Sequence, residues 1–121
     1  MKKRVTLVLG ASEKTDRYAN IAIRRLLDAG ENVVAVGYKP GEVRGVEILT
    51  TFPEGMDIHT ITLYVSAKNQ EMYYEQIINA KPKRVIFNPG TYNDVLEEML
   101  RKEEIPYEAA CTLVMLSANT Y

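Results

Sequence analysis

The chain has 121 residues, 46% of them hydrophobic and 26% charged, which is one domain's worth of sequence, enough to bury roughly two thirds of its extended surface in one core. Fifteen Lys plus Arg against sixteen Asp plus Glu leave a formal charge of −1, so no global field draws the protein toward nucleic acid or an anionic membrane, and any bound anion must be captured locally. One Cys and one His exclude an internal disulfide and a zinc cluster of recognisable spacing, so no metal site is expected.

The chain opens on basic Met1-Lys2-Lys3-Arg4, but the apolar run after it ends at Gly10, too short for a signal-peptide core or a membrane span. A reduced, cytoplasmic protein is the default. Val5 to Leu9, rich in β-branched and aliphatic residues and closed by Gly10-Ala11-Ser12, predicts a buried first strand ending in a tight turn. From about Asp16 to Ala29, Ala19, Ile23, Leu26 and Leu27 fall at helical spacing, and Gly30 supplies the stop. Asn32 to Gly37 carries Val33, Val34, Ala35 and Val36 without polar alternation, as an interior parallel strand does. Tyr38 to Gly55 is mostly loop, with a short edge strand near Val46 to Leu49.

Ile58 to Val65 predicts another strand, Ala67 to Ala80 a helical stretch broken at Lys81-Pro82, and Arg84 to Phe87 a further strand. Asn88-Pro89-Gly90-Thr91 is a turn, after which Asp94 caps a helix carrying Val95, Leu96, Met99 and Leu100. Ile105 to Ala110, interrupted by Pro106, is the last short strand. This alternation specifies an α/β, Rossmann-like three-layer domain over residues 1–121, with a mostly parallel sheet of about five strands. In such sheets ligands sit beyond the carboxyl ends of the strands, where strand order reverses.

Three loops then matter. The first, Gly10 to Asn20, joins a buried strand to a helix start whose free N–H groups suit a phosphate; a plain reversing turn is the alternative, since G-x-G-x-x-G is absent. In the second, Gly37-Tyr38-Lys39-Pro40, no acid stands where an NAD-binding domain places one on the ribose hydroxyls. Lys39, helped by Arg17 or Lys14, suits a ribose phosphate instead, or is an ordinary solvated lysine. The third, Asn88 to Asp94, repeats the first: Asn88 and Thr91 either face a ligand or, with Asp94, satisfy a turn and a cap.

Gly10-Ala11-Ser12, Arg17-Tyr18-Ala19-Asn20, the Leu26 to Val34 segment, Phe87 to Thr91 and Ala110 to Leu116 together resemble the small stand-alone CoA-binding proteins. These are similar to the nucleotide-binding domain of the succinyl-CoA synthetase α subunit and of ADP-forming acyl-CoA synthetases. The resemblance implies a Rossmann-like domain holding coenzyme A, with Gly10, Ala11, Ser12, Arg17, Tyr18 and Ala19 near the pyrophosphate. Gly37, Tyr38, Lys39 and Pro40 would lie near the phosphorylated ribose. Val65, Ser66, Asn88, Pro89 and Gly90 complete the set of expected cofactor contacts. The chain departs from the family at Gly37-Tyr38, where many members have Asn-Pro. It also lacks an arginine after the Thr62 to Ser66 segment, and Asn88 stands where a Gln is common.

No catalytic residue is expected. A cysteine nucleophile needs a neighbouring base or positive charge, and His59 opens its strand at the amino end, far from the ligand edge, so a pairing with Cys111 is not anticipated. Glu97, Glu98, Glu103 and Glu104 read as solvated helix charge. The expected function is binding of CoA or a short acyl-CoA. The alternatives are an NADP- or other nucleotide-dependent enzyme or enzyme subunit, and an interaction domain, with a homodimer built on the apolar tail Leu113 to Leu116 or another protein partner.

Overall fold

The computed structural model describes residues 4–121, so the basic opening Met1–Lys3 lies outside the described residues. The order of elements is β1 (Val5–Leu9), α1 (Tyr18–Asp28), β2 (Asn32–Val36), β3 (Gly41–Val43), β4 (Val46–Leu49) and β5 (Thr60–Leu63). There follow α2 (Ala67–Gln70), a 3-10 turn (Glu71–Tyr73), α3 (Tyr74–Ala80), β6 (Arg84–Phe87), α4 (Asp94–Lys102), β7 (Tyr107–Ala109) and α5 (Thr112–Ser117).

The sheet has seven strands in the order β3-β4-β2-β1-β5-β6-β7, all pairs parallel except the β3–β4 hairpin. The expected α/β class and mostly parallel sheet hold, while seven strands replace about five. The strand with no counterpart among the expected segments is β3, whose three residues carry a single apolar side chain, Val43; the short β4 and β7 stand where short strands were expected. Leu9 pairs with both Val36 and Leu63, and Leu63 with Phe87, so the main strands end in one row. Order reverses beside β1: its chain leaves toward β2, whereas the chain after β5 leaves toward β6.

Both faces of the sheet are covered, which is why the strands read as continuous apolar runs. Leu7, Leu9, Ile61, Leu63, Val85 and Phe87 pack with Ile77, Leu96 and Leu100 on one face. Val8, Ala35 and Ile48 pack with Ala19, Ile23 and Leu26 on the other. Helix α1 buries Ala19, Ala22, Ile23 and Leu26, a spacing that puts them on one stripe, and full burial of a Leu or Ile contributes about 1.5–3 kcal/mol.

One expectation about a helix start is corrected. The cap of α4 is Asn93, whose side chain accepts from Val95 N and Leu96 N; Asp94 lies inside the first turn, where its charge still favours the helix dipole. The tail Leu113 to Leu116 lies within helix α5, which packs on α1, with Leu116 half-buried against the core and Val114 facing solvent. Its Thr112 is fully buried and shares a 2.8 Å hydrogen bond with Thr62. Beyond it the Tyr121 ring lies 5.1 Å from the Arg4 guanidinium and 4.5 Å from that of Arg84, and its hydroxyl bonds Thr6 at 2.7 Å. Among the described residues Arg84 Nη2 has no hydrogen-bond partner, and the guanidinium lies over the Tyr121 ring face, which attracts its charge.

Candidate functional site

At the row of strand ends, between the loops after β1, β2, β5 and β6, lies a cleft of about 660 Å3, within the range of small-molecule and cofactor sites. It sits where strand order reverses, the place at which doubly wound sheets bind ligands.

The loop after β1 forms one wall. Gly10 N and Ala11 N both donate to the Val36 carbonyl, at 2.8 and 2.9 Å, which pins the turn to the end of β2. Gly10 has φ +101°, and a Cβ there would stand 2.7 Å from the Tyr64 carbonyl oxygen, so glycine is required on both counts. Ser12 Oγ accepts from Lys14 N, and the Ser12 carbonyl accepts from Asn20 Nδ2 at 2.9 Å. Asn20 in turn accepts from Arg24 Nε, while Arg24 Nη2 reaches the Thr15 carbonyl. Two side chains of α1 thereby hold the loop from behind. Helix α1 begins at the cleft with Arg17 as its N-cap, and no side chain caps it and no acid stands in its first turn. Its open N–H groups and dipole favour a negative ligand.

The segment after β2 brings Tyr38, Lys39 and Pro40 to the rim. Tyr38 is 80% exposed, an aromatic face free to stack, and Lys39 Nζ lies 5.6 Å from its ring centre. Glu13, which was not among the expected contacts, crosses from the first loop to accept a hydrogen bond from Glu42 N at 2.9 Å, its side chain lying in space that a Cβ on Gly41 would fill. The charges on the cleft are therefore Lys14, Arg17 and Lys39 against one carboxylate already engaged.

Tyr64, Val65, Ser66 and Asn69 after β5, with Pro89, Gly90 and Thr91 after β6, make the remaining walls and carry no charge. Burial pushes the Tyr64 phenol up to about 12; its hydroxyl lies beside Thr62 and Thr112 without a hydrogen bond of normal geometry.

Of the expected contacts, Gly10, Ala11, Ser12, Arg17, Tyr18, Ala19, Tyr38, Lys39, Pro40, Val65, Ser66, Pro89 and Gly90 all line this cleft. Gly37 and Asn88 stand behind it. Gly37 is where the first two loops touch: a Cβ there would be 2.4 Å from the Ala11 carbonyl oxygen. Asn88 is 2% exposed, donates to Thr62 Oγ1 at 2.7 Å and to the Leu63 carbonyl at 2.8 Å, and accepts from Thr112 N at 2.9 Å, so it joins β5 and β6 to the start of α5. The lining residues not anticipated are Glu13, Ile48, Tyr64 and Asn69; Lys14, expected as a helper to Lys39, and Thr91, expected either at a ligand or in a turn, also line it. Thr91 follows from its place in the loop after β6, whereas Asn69 lies within α2 and carries no loop signal.

His59 lies just before β5, at the amino end of the sheet, its Nδ1 2.8 Å from Thr60 Oγ1. Cys111 immediately precedes α5 and is partly buried. Among the described residues no group of three or more His, Cys, Asp or Glu is placed to hold a metal ion, and no helix is long and apolar enough to cross a membrane.

A family model described as "CoA binding domain" matches residues 4–117. Among solved structures, a crystal structure of an uncharacterized protein is 46% identical over 100% of both chains, with a TM-score of 0.94. A hypothetical protein from Pyrococcus horikoshii OT3 is 29% identical over 98% of this chain and 83% of its own, with a TM-score of 0.84. The dinucleotide forming acetyl-coenzyme A synthetase 1 of Ca. Korarchaeum cryptofilum, solved with phosphate and ADP, shares the fold: 15% identity, TM-score 0.73, over 88% of this chain and 25% of that one. Among curated proteins none matches the chain.

Proposed function

The chain belongs to the CoA-binding domain family, and from that premise we propose that it binds coenzyme A or a short acyl-CoA in the cleft at the carboxyl edge of its sheet, without a catalytic constellation of its own. The observation that carries this reading is the sorting of charge within the cleft. Lys14, Arg17 and Lys39 gather with the uncapped start of α1 at the β1 and β2 loops, in a protein whose net charge is −1. A polyanion with one uncharged end fits that arrangement, and CoA is such a molecule: three phosphoryl groups on a nucleotide, followed by a neutral pantetheine arm. The phosphates would meet the open N–H groups of α1 and the three cations, and the arm would extend toward Ser66, Asn69 and Gly90.

The same features support a binding protein over an enzyme. His59 is at the opposite edge of the sheet, and Cys111 is outside the cleft lining. A cytoplasmic protein that holds CoA and presents it to, or senses it for, a protein partner is the function we assign.

Calorimetry with CoA, dephospho-CoA, NAD and NADP tests the assignment. CoA is expected to bind most tightly, and dephospho-CoA more weakly by the contribution of a ribose phosphate. Absence of heat with CoA, or tighter binding of NADP, refutes it.

A further inference from the structure

Gln70, the last residue of α2, is fully buried, yet it stands directly behind the uncharged half of the cleft. Its amide nitrogen donates both hydrogens, to the Val65 carbonyl at 2.8 Å and to the Thr91 carbonyl at 2.7 Å. Val65 belongs to the loop after β5 and Thr91 to the loop after β6, and both line the cleft. Its carbonyl oxygen accepts from Asn93 Nδ2 at 3.0 Å, and Asn93 is the residue that caps α4. One side chain thus ties two walls of the site to each other and to the helix behind them. Only an amide of this length serves: a carboxylate would set lone pairs against two carbonyl oxygens, and an apolar chain would leave both carbonyls without a donor.

All three cations of the cleft stand on the β1 and β2 loops, away from this tie. Resting on the CoA reading above, we infer that Gln70 is a positioning residue for the ligand's uncharged arm: it sets the separation of the β5 and β6 loops, and thereby the fit of pantetheine, while the nucleotide half depends on the basic loops.

The test compares CoA with adenosine 3′,5′-bisphosphate, which keeps the nucleotide and lacks the arm, on the wild-type protein and on Gln70→Met, which keeps the volume and removes the donors. Loss of the two donated hydrogen bonds predicts that CoA weakens about tenfold. The bisphosphate is expected to change less than twofold. Equal weakening of both ligands, or unchanged CoA affinity, overturns the assignment. Gln70→Glu supplies a second route if the Met variant does not fold. Its carboxylate sets lone pairs against two carbonyl oxygens, so at about pH 8, where both ligands are fully ionised, the ratio of CoA to bisphosphate affinity must fall at least about tenfold below that of the wild type, and a ratio equal to the wild type's also overturns it. Wild-type protein that binds the bisphosphate as tightly as CoA removes any role for the arm and for Gln70, yet leaves nucleotide binding in place. Wild-type protein that binds neither refutes the CoA reading itself.

Discussion

Gly37→Ala is the sharpest probe of how the cleft is built, because it perturbs a contact and not a backbone conformation. The new methyl would lie 2.4 Å from the Ala11 carbonyl oxygen and 3.2 Å from Ile48 Cγ2. Ordinary contact begins near 3.4 Å, so the loop after β1 must retreat by about 1 Å. That displacement stretches the 2.9 Å bond from Ala11 N to the Val36 carbonyl beyond hydrogen-bond range. Overpacking typically costs about 1–3 kcal/mol and the lost bond about 1 kcal/mol more, so a loss of roughly 2–4 kcal/mol is expected. Urea unfolding measures it as a lower midpoint at unchanged slope. Calorimetry on the folded variant should show CoA weakened as well, because Gly10 to Ser12 move with the carbonyl. Stability within about 0.5 kcal/mol of wild type, the range of an ordinary surface substitution, together with unchanged CoA affinity, would show that the two loops do not depend on this approach.

Lys39→Ala should weaken CoA by about tenfold, as expected for a charge-assisted contact of about 1.5 kcal/mol, and leave dephospho-CoA nearly unchanged; calorimetry with both ligands checks it. Asn88→Ala strands Thr112 N and one hydrogen-bonding group of Thr62, so thermal unfolding should register a loss of about 2–4 kcal/mol, more than a cap alone provides. Deleting the residues after Cys111 removes buried Thr112 and the half-buried Leu116 and Tyr121 that pack against the core and should lower Tm sharply, so the oligomeric role of this tail is better examined by light scattering on Val114→Asp, which changes an exposed residue only. Tyr64 ties stability to alkaline pH: its buried phenol holds its proton to about 12, whereas the unfolded phenol releases it near 10. Its contribution is complete below pH 10 and is lost as pH rises toward 12. Tyr64→Phe should flatten that loss in urea titrations at several pH values, and at pH 7 it should be neutral or slightly stabilising, since the hydroxyl lacks a hydrogen bond of normal geometry.

The parallel core was readable from the sequence because its signals are local. Val5–Leu9 and Arg84–Phe87 are short apolar runs bounded by turn residues, and the structure places strands over those same residues. The loops that form the cleft followed from strand order. What escaped was whatever depends on residues distant along the chain. Nothing near Thr112 announces α5, because the side chain accepting from its first N–H belongs to Asn88, 24 residues earlier. Gln70 looks like any polar residue in a surface helix until β5 and β6 are placed beside each other. Glu13 gave no sign that it would fasten the first loop to the hairpin, since its partner is the backbone of Glu42. Of the two readings of Asn88, a ligand contact or a residue satisfying its surroundings, the hydrogen bonds to Thr62, Leu63 and Thr112 belong to the second.

The alignment of Leu9, Val36, Leu63 and Phe87 in one row divides the molecule into two territories that can change separately. Below the row, substitutions answer to the core. Above it, the segments from Tyr38 to Pro40 and from Ser66 to Asn69 are exposed or half-buried and bear little of the packing. A chain of this design is therefore open to transplantation: its rim segments are replaceable from a relative with another ligand preference, provided that Gly37, Gln70 and Asn88, the fasteners beneath, are kept.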